Sequence, residues 1–207
     1  MKGKKTFYII DDHEMLRLGT ADYIKKNSDW ICAGSGGSGQ VGLSDIKALA
    51  DQKAPPALVI CDLNFYGQDS GFELVKTLRE LYPQIKVVVY SMFFSPGAVQ
   101  SAIAGGASGY VSKNASSDEL ILCMEKALAG ETYVQKELQQ KLENFNSFID
   151  ALTQREKDVM ALLLRRFSND QIAEELDIKK RAVENYISSI YDKTGINDKA
   201  ELIKRFG

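Results

Sequence analysis

The sequence predicts a doubly wound α/β domain on a five-stranded parallel sheet, followed by a small all-α domain built around a helix-turn-helix. Three observations carry this. Through the first 130 residues, short β-rich runs alternate with amphipathic stretches of helical length, five times over. The runs are mostly unbroken apolar rather than alternating, as strands covered on both faces should be. After Gly130 the pattern turns to helix only. The chain therefore divides into a first domain over 1–130, a helical linker over 131–150 and a second domain over 151–207.

The expected strands are 6–10, 31–35, 57–61, 85–90 and 109–112. Between them apolar residues recur at helical spacing, as in Leu43, Ile46, Leu49 and Ala50, or Leu74, Val75, Leu78 and Leu81. Ser95 before Pro96 reads as a helix N-cap with proline in the first position, and Gly105-Gly106 as the stop. Ser116 with Glu119 predicts a capping box for the fifth helix, which ends at Gly130. In the linker, Leu138, Leu142, Phe145, Ile149 and Leu152 form a seam of two heptads. So short a seam suits packing against the chain's own domains better than a coiled coil. Thr153 with Glu156 and Ser168 with Gln171 predict two further capping boxes. A last helix over 179–193 follows the second of these after a turn at Asp177-Ile178, which makes a helix-turn-helix.

Composition excludes several classes. No apolar run approaches the roughly 20 residues that span a bilayer, and 7–10 is too short for a signal-peptide core, so the expected location is the cytoplasm. Cys32, Cys61 and Cys123 lack metal-ligand spacing and read as reduced core residues. Formal net charge is -2, so nucleic-acid contact must come from a local patch. Residues 151–207 hold 11 Lys and Arg against 10 Asp and Glu, a surplus of one. The glycines of 35–39 lack P-loop spacing and read as a flexible turn.

Ligands of open α/β sheets bind at the carboxyl ends of the strands. There the sequence places Asp11 and Asp12, Asp62, Ser91 and, just past the fifth strand, Lys113. Three carboxylates brought together repel one another unless a cation intervenes, and hard oxygen donors suit Mg²⁺. With a lysine and a hydroxyl added, the set suits phosphoryl transfer to a carboxylate. Asp62 is the nucleophile, Mg²⁺ and Lys113 stabilise the equatorial oxygens, and Ser91 donates to one of them. His13, the one histidine, reads as a helix-start residue rather than a base or ligand.

These residues resemble the receiver domains of two-component response regulators, in the subgroup with NarL/FixJ-type (LuxR-type) output domains. The resemblance rests on Ile9-Ile10-Asp11-Asp12-His13, Ile60-Cys61-Asp62-Leu63, Val89-Tyr90-Ser91-Met92, the run from Gly106 to Lys113, and Leu152-Thr153-Gln154-Arg155-Glu156. It implies a flavodoxin-like receiver whose Asp62 accepts phosphoryl from a histidine kinase. Asp11, Asp12 and Asp62 would hold Mg²⁺ together with the backbone carbonyl of Asn64. Tyr110 would be the aromatic that turns inward once Ser91 engages the phosphoryl group. It implies a bacterial regulator rather than an enzyme on separate substrates, though one that catalyses its own phosphorylation and dephosphorylation, and a homodimer on phosphorylation, with 198–205 or a receiver surface as the seam. An aspartyl-phosphate phosphatase would need a second acid two residues after the nucleophile, where Asn64 stands.

The sequence departs from the family in two places. Phe65-Tyr66-Gly67 replaces the usual Met-Pro-Gly, and Gly71 stands nine residues after Asp62, one more than usual. Phe93 would stand near the path of a hydrolytic water, so slow dephosphorylation is expected. In the output domain the resemblance aligns 179–193 with the helix that enters the major groove of double-stranded DNA. Lys179, Lys180, Arg181, Glu184, Asn185, Ser188 and Lys193 are its expected DNA-facing residues. Here Ala182-Val183-Glu184-Asn185-Tyr186 replaces the usual Thr-Val-Lys-x-His, putting an acid where lysine is frequent, and Arg166 stands where glycine is common. Glutamate can accept from cytosine N4 and asparagine can read adenine, so altered specificity is one consequence. The other is an output domain that binds a protein partner instead of DNA.

Overall fold

The computed structural model describes residues 5–65, 71–92, 95–196 and 198–206, with 204–206 by backbone alone. The chain forms two compact units, the first built from most of residues 1–136 and the second on 137–207.

The first unit alternates strand and helix: β1 (Thr6–Ile10), α1 (Glu14–Asn27), β2 (Ile31–Gly36), α2 (Gly39–Asp51), β3 (Leu58–Cys61), α3 (Gly71–Leu81), β4 (Lys86–Ser91), α4 (Pro96–Ala104), β5 (Gly109–Ser112), α5 (Ser117–Leu128) and β6 (Tyr133–Val134). The sheet order is β2-β1-β3-β4-β5-β6, with every pairing parallel. Strand order reverses at β1/β3, the switch point at whose carboxyl edge open α/β sheets bind ligands.

Six strands replace the expected five, and residues after Gly130 are not helix only. β6 pairs Tyr133 with Gly109 and Val134 with Tyr110. Beyond it the Gln135 N–H donates to the Tyr110 carbonyl at 3.1 Å, and Gln135 Oε1 accepts from the Ser112 N–H at 3.0 Å. The edge of β5 would otherwise present unpaired backbone groups, and this short segment satisfies them. The expected capping box of α5 is also half made. Ser116 Oγ accepts from the Glu119 N–H, but the Glu119 carboxylate turns to the Tyr133 hydroxyl at 2.5 Å. A tertiary partner has displaced the local one.

One face of the sheet buries Phe7, Ile9, Leu58, Ile60, Val88 and Val111 against Ala21 and Ile24 of α1 and Leu120, Cys123 and Met124 of α5. Residues of the other parity, such as Ile10, Val59, Val87 and Val89, are equally buried, as are Ile46 of α2 and Leu74, Val75 and Leu78 of α3. Each such side chain contributes about 1.5–3 kcal/mol of transfer free energy, and coverage of both faces explains the unbroken apolar runs. All three cysteines are free thiols, Cys61 and Cys123 buried and Cys32 half-buried.

The second unit is helical: α6 (Lys136–Asp150), α7 (Gln154–Leu164), α8 (Asn169–Glu175), α9 (Lys180–Thr194) and α10 (Lys199–Phe206). Both expected capping boxes, Thr153/Glu156 and Ser168/Gln171, are complete. Phe145, Phe148 and Ile149 of α6 join Leu152, Val159, Leu163, Ile172, Val183 and Ile190 in one cluster, so the seam residues Phe145, Ile149 and Leu152 pack into the unit's own core. The turn between α8 and α9 closes with the Ile178 N–H on the Ala173 carbonyl at 2.9 Å and Asp177 at φ 50.

Candidate functional site

Parallel register delivers the acid cluster. Asp11 and Asp12 follow β1, Asp62 follows β3, and the Asp62 N–H bonds the Ile10 carbonyl at 2.9 Å, which locks the two strand ends together. Ser91 closes β4 opposite Ser112 of β5, and the Lys113 N–H bonds the Ser91 carbonyl at 3.0 Å. Asp62 and Asp11 are each 3% exposed and Ser91 is fully buried. The Lys113 ammonium bridges the two acids, 2.7 Å from Asp11 Oδ2 and 2.5 Å from Asp62 Oδ2. Burial alone would lower the lysine's pKa, but the hydrogen bonds to Asp11 and Asp62 outweigh it and raise it above 10.5. Asp62 Oδ1 accepts from the N–H of Leu63 at 2.6 Å and of exposed Asn64 at 3.3 Å. Tyr110 lies on β5, fully buried, and burial followed by the nearby Asp62 charge pushes its hydroxyl pKa up.

A metal fits this donor set. One ligand atom from each of Asp11, Asp12, His13 and Asp62 lies within 4.8 Å of the others. Three carboxylates against one ammonium leave an excess negative charge, and the hard oxygen donors match a hard divalent cation. His13 is the N-cap residue of α1, makes no side-chain cap bond, and sets its Nδ1 2.7 Å from Asp12 Oδ1. It is thus both a helix-start residue and a neighbour of the acids.

The sequence reading missed one support of this pocket, Arg17, and placed another, Gly71, without its physical reason. Arg17, one turn into α1, donates from Nη1 to the Asp11 carbonyl at 2.5 Å and holds the acidic loop from behind. Gly71 opens α3 against the loop that carries Asp62. A Cβ there would stand 2.3 Å from Leu63 Cα and 2.6 Å from the Asp62 carbonyl oxygen, so only glycine fits. A basic residue one turn beyond paired aspartates, and a glycine at a helix start, are the signals that mark them. Tyr66, Gly67 and Phe93 lie outside the described residues, and with them the loop departure and the basis for slow dephosphorylation.

In the second unit, α9 exposes Lys180, Arg181, Glu184, Asn185 and Ser188, preceded by exposed Lys179 at its N-cap. Lys180 pairs with Asp170 of α8 at 2.9 Å. Lys193, near the end of the same helix, turns to Glu156 at 2.7 Å. Glu156 is 3% exposed and also accepts from the Ser189 hydroxyl at 2.5 Å and the Thr153 N–H at 2.6 Å. The bonds from Lys193, then Ser189 and Thr153, hold its pKa down at about 2. This carboxylate ties the start of α7 to the last turns of α9.

Residues 7–125 match the response regulator receiver domain family, and residues 150–206 match the bacterial regulatory proteins of the luxR family. The chain is a response regulator with a LuxR-type output domain. Among its curated relatives, the transcriptional activator protein ExaE of Pseudomonas putida is 30% identical over 203 residues, covering 94% of this chain and 92% of that one. The response regulator protein VraR of Staphylococcus aureus is 28% identical over 198 residues, with the same coverage. Among solved structures, one of two RcsB dimers bound to two parallel DNAs has a TM-score of 0.75 at 18% identity over 98% of both chains. RcsB of Salmonella enterica serovar Typhimurium on a promoter has a TM-score of 0.70 at 19% identity, also over 98% of both chains. In this response regulator no helix among the described residues is long and apolar enough to cross a membrane.

Proposed function

We propose that the chain is a phosphorylation-controlled, DNA-binding transcription regulator in which Asp62 accepts phosphoryl from a histidine kinase. The observation that carries this is the buried Asp62, bridged by Lys113 to Asp11, with Asp12 alongside and Ser91 at a neighbouring strand end. In the transfer, an Asp62 carboxylate oxygen forms a bond to phosphorus as the donor's phosphorus–nitrogen bond breaks, and the departing imidazole takes up a proton. Asp11, Asp12, Asp62 and the Asn64 carbonyl would hold Mg²⁺, which when bound neutralises charge on the transferring group. The Lys113 ammonium shifts from its carboxylate partners to a phosphoryl oxygen, and Ser91 donates to another. The receiver thereby catalyses its own phosphorylation and, with water as the acceptor, its own dephosphorylation.

The phosphoryl group adds nearly two negative charges at a closely packed site, a load that reorganises the Ser91 and Tyr110 end of the sheet. The resulting surface change favours a homodimer, and the output domain engages DNA through α9. The relatives that support this include RcsB, solved as dimers on DNA. Lys179, Arg181, Glu184, Asn185 and Ser188 are the exposed candidates for contact, with Lys180 and Lys193 already holding ion pairs inside the domain. A protein-binding output domain is the second reading, favoured by the exposed acid Glu184 in the middle of that face. The direct test of the chemistry is incubation with a small-molecule phosphoryl donor and Mg²⁺, followed by mass spectrometry. The expected result is one phosphoryl group on Asp62, none in Asp62→Ala, and a rate at least tenfold lower in Lys113→Ala. Phosphorylation that survives in Asp62→Ala would overturn the assignment.

A further inference from the structure

We infer that Glu184 reads a cytosine in the major groove and Asn185 an adenine in the adjacent base pair, so the carboxylate is a specificity determinant rather than a lost contact. This rests on the DNA-binding reading above.

The geometry of α9 sets the face. Arg181, Glu184, Asn185, Ser188 and Asp192 are exposed, at spacings of three, one, three and four. Val183 and Ile190 are buried on the opposite side, with Tyr186, Ile187 and Tyr191 packed against the core. At 1.5 Å rise per residue, positions 181 to 188 span about 10 Å, or roughly three base pairs. Glu184 stands at the middle of that span.

The electrostatics argue against a face built to grip phosphates. Lys180 is held by Asp170 and Lys193 by Glu156, which leaves Lys179 at the N-cap and Arg181 on the stripe as the exposed cations of α9 outside ion pairs among the described residues. Glu184 has no ion-pair partner among the described residues and acts on Lys180 only through its field. Against the phosphate walls such a carboxylate is repelled. The groove floor is different, because it carries exposed amine donors. A carboxylate only accepts, so guanine, with N7 and O6, and thymine, with O4, offer it nothing but repulsion. Adenine sets its N6 donor beside the N7 acceptor, whereas cytosine presents N4 alone. Cytosine is therefore the base that an ionised Glu184 prefers. Asn185 carries donor and acceptor together, which matches the N6/N7 edge of adenine, and it lies one residue along the helix.

The test is selection from random duplex DNA by the full-length protein with a phosphoryl mimic and Mg²⁺, followed by affinity measurements on the selected site with each base substituted in turn. A cytosine beside an adenine is expected, with about tenfold to a hundredfold loss when that cytosine is changed. In Glu184→Ala this discrimination falls below about twofold at that position and persists elsewhere. Glu184→Lys shifts the preference there to guanine, the base lysine pairs with. If Glu184→Ala strengthens binding to all sequences alike and no position loses discrimination, the inference is overturned while DNA binding stands. If the native protein enriches no sequence in any state, the DNA-binding reading falls and this one with it.

Discussion

At the acid site, Asp11, Asp12 and Asp62 face one ammonium, and the chemistry of the pocket follows from that imbalance. Like charges held close together raise the free energy of the folded state, and a bound divalent cation removes the repulsion. Mg²⁺ at a hundredfold excess over its dissociation constant is expected to stabilise the receiver by about 2.7 kcal/mol, seen as a rise in the thermal midpoint. Asp12→Asn should be more stable than the native chain without Mg²⁺ and gain little from it. A native midpoint that ignores Mg²⁺ would sink this account of the pocket. A second residue carries strain of a different kind. Arg166 follows the C-cap of α7 at φ 65, a left-handed conformation that glycine adopts without cost. This gives the physical reason that glycine is common there. Arg166→Gly should stabilise the second unit by about 0.5–1 kcal/mol, checked by urea unfolding.

At the scale of elements, the capping boxes show what local sequence can and cannot specify. Thr153/Glu156 and Ser168/Gln171 were legible because both partners lie within one turn. Yet Glu156 also reaches Ser189 and Lys193, more than thirty residues away, and no local pattern announces that. The fate of Glu119 was hidden for the same reason, and β6 because two residues have no period to detect. The strand-end acids were legible because parallel strands must deliver their carboxyl ends to one edge, whereas Arg17 and Gly71 depended on contacts that only the folded backbone creates. The Glu156 cluster makes a further prediction. Its folded pKa of about 2 lies below the ordinary 4.5, so the stability it lends is complete above pH about 4.5 and drains away as pH falls towards 2. Lys193→Met should destabilise the second unit by about 1–3 kcal/mol, less than a fully buried pair because the lysine side chain is 34% exposed. It should also narrow the acid-induced loss. A variant as stable as the native chain at pH 7 would show that Lys193 is free for DNA.

Across the whole molecule, a receiver with a charge-sensitive acid pocket and an output domain with an exposed helix share one chain, with residues of α6 embedded in the output core. The claim that joins them is that phosphoryl on Asp62 changes how α9 meets DNA. The affinity of α9 for phosphate is expected to be modest, since Lys179 and Arg181 are its cations outside ion pairs among the described residues. Assembly of two copies on one site would then supply much of the regulated affinity. The most direct measurement is the affinity of the full-length protein for a selected duplex at fixed salt, with and without a phosphoryl mimic and Mg²⁺, in the native chain and in Asp62→Ala. The account predicts at least tenfold tighter binding with the mimic, on a site with two-fold-related halves, and no change in Asp62→Ala. Equal affinity of the native chain in both states would contradict it.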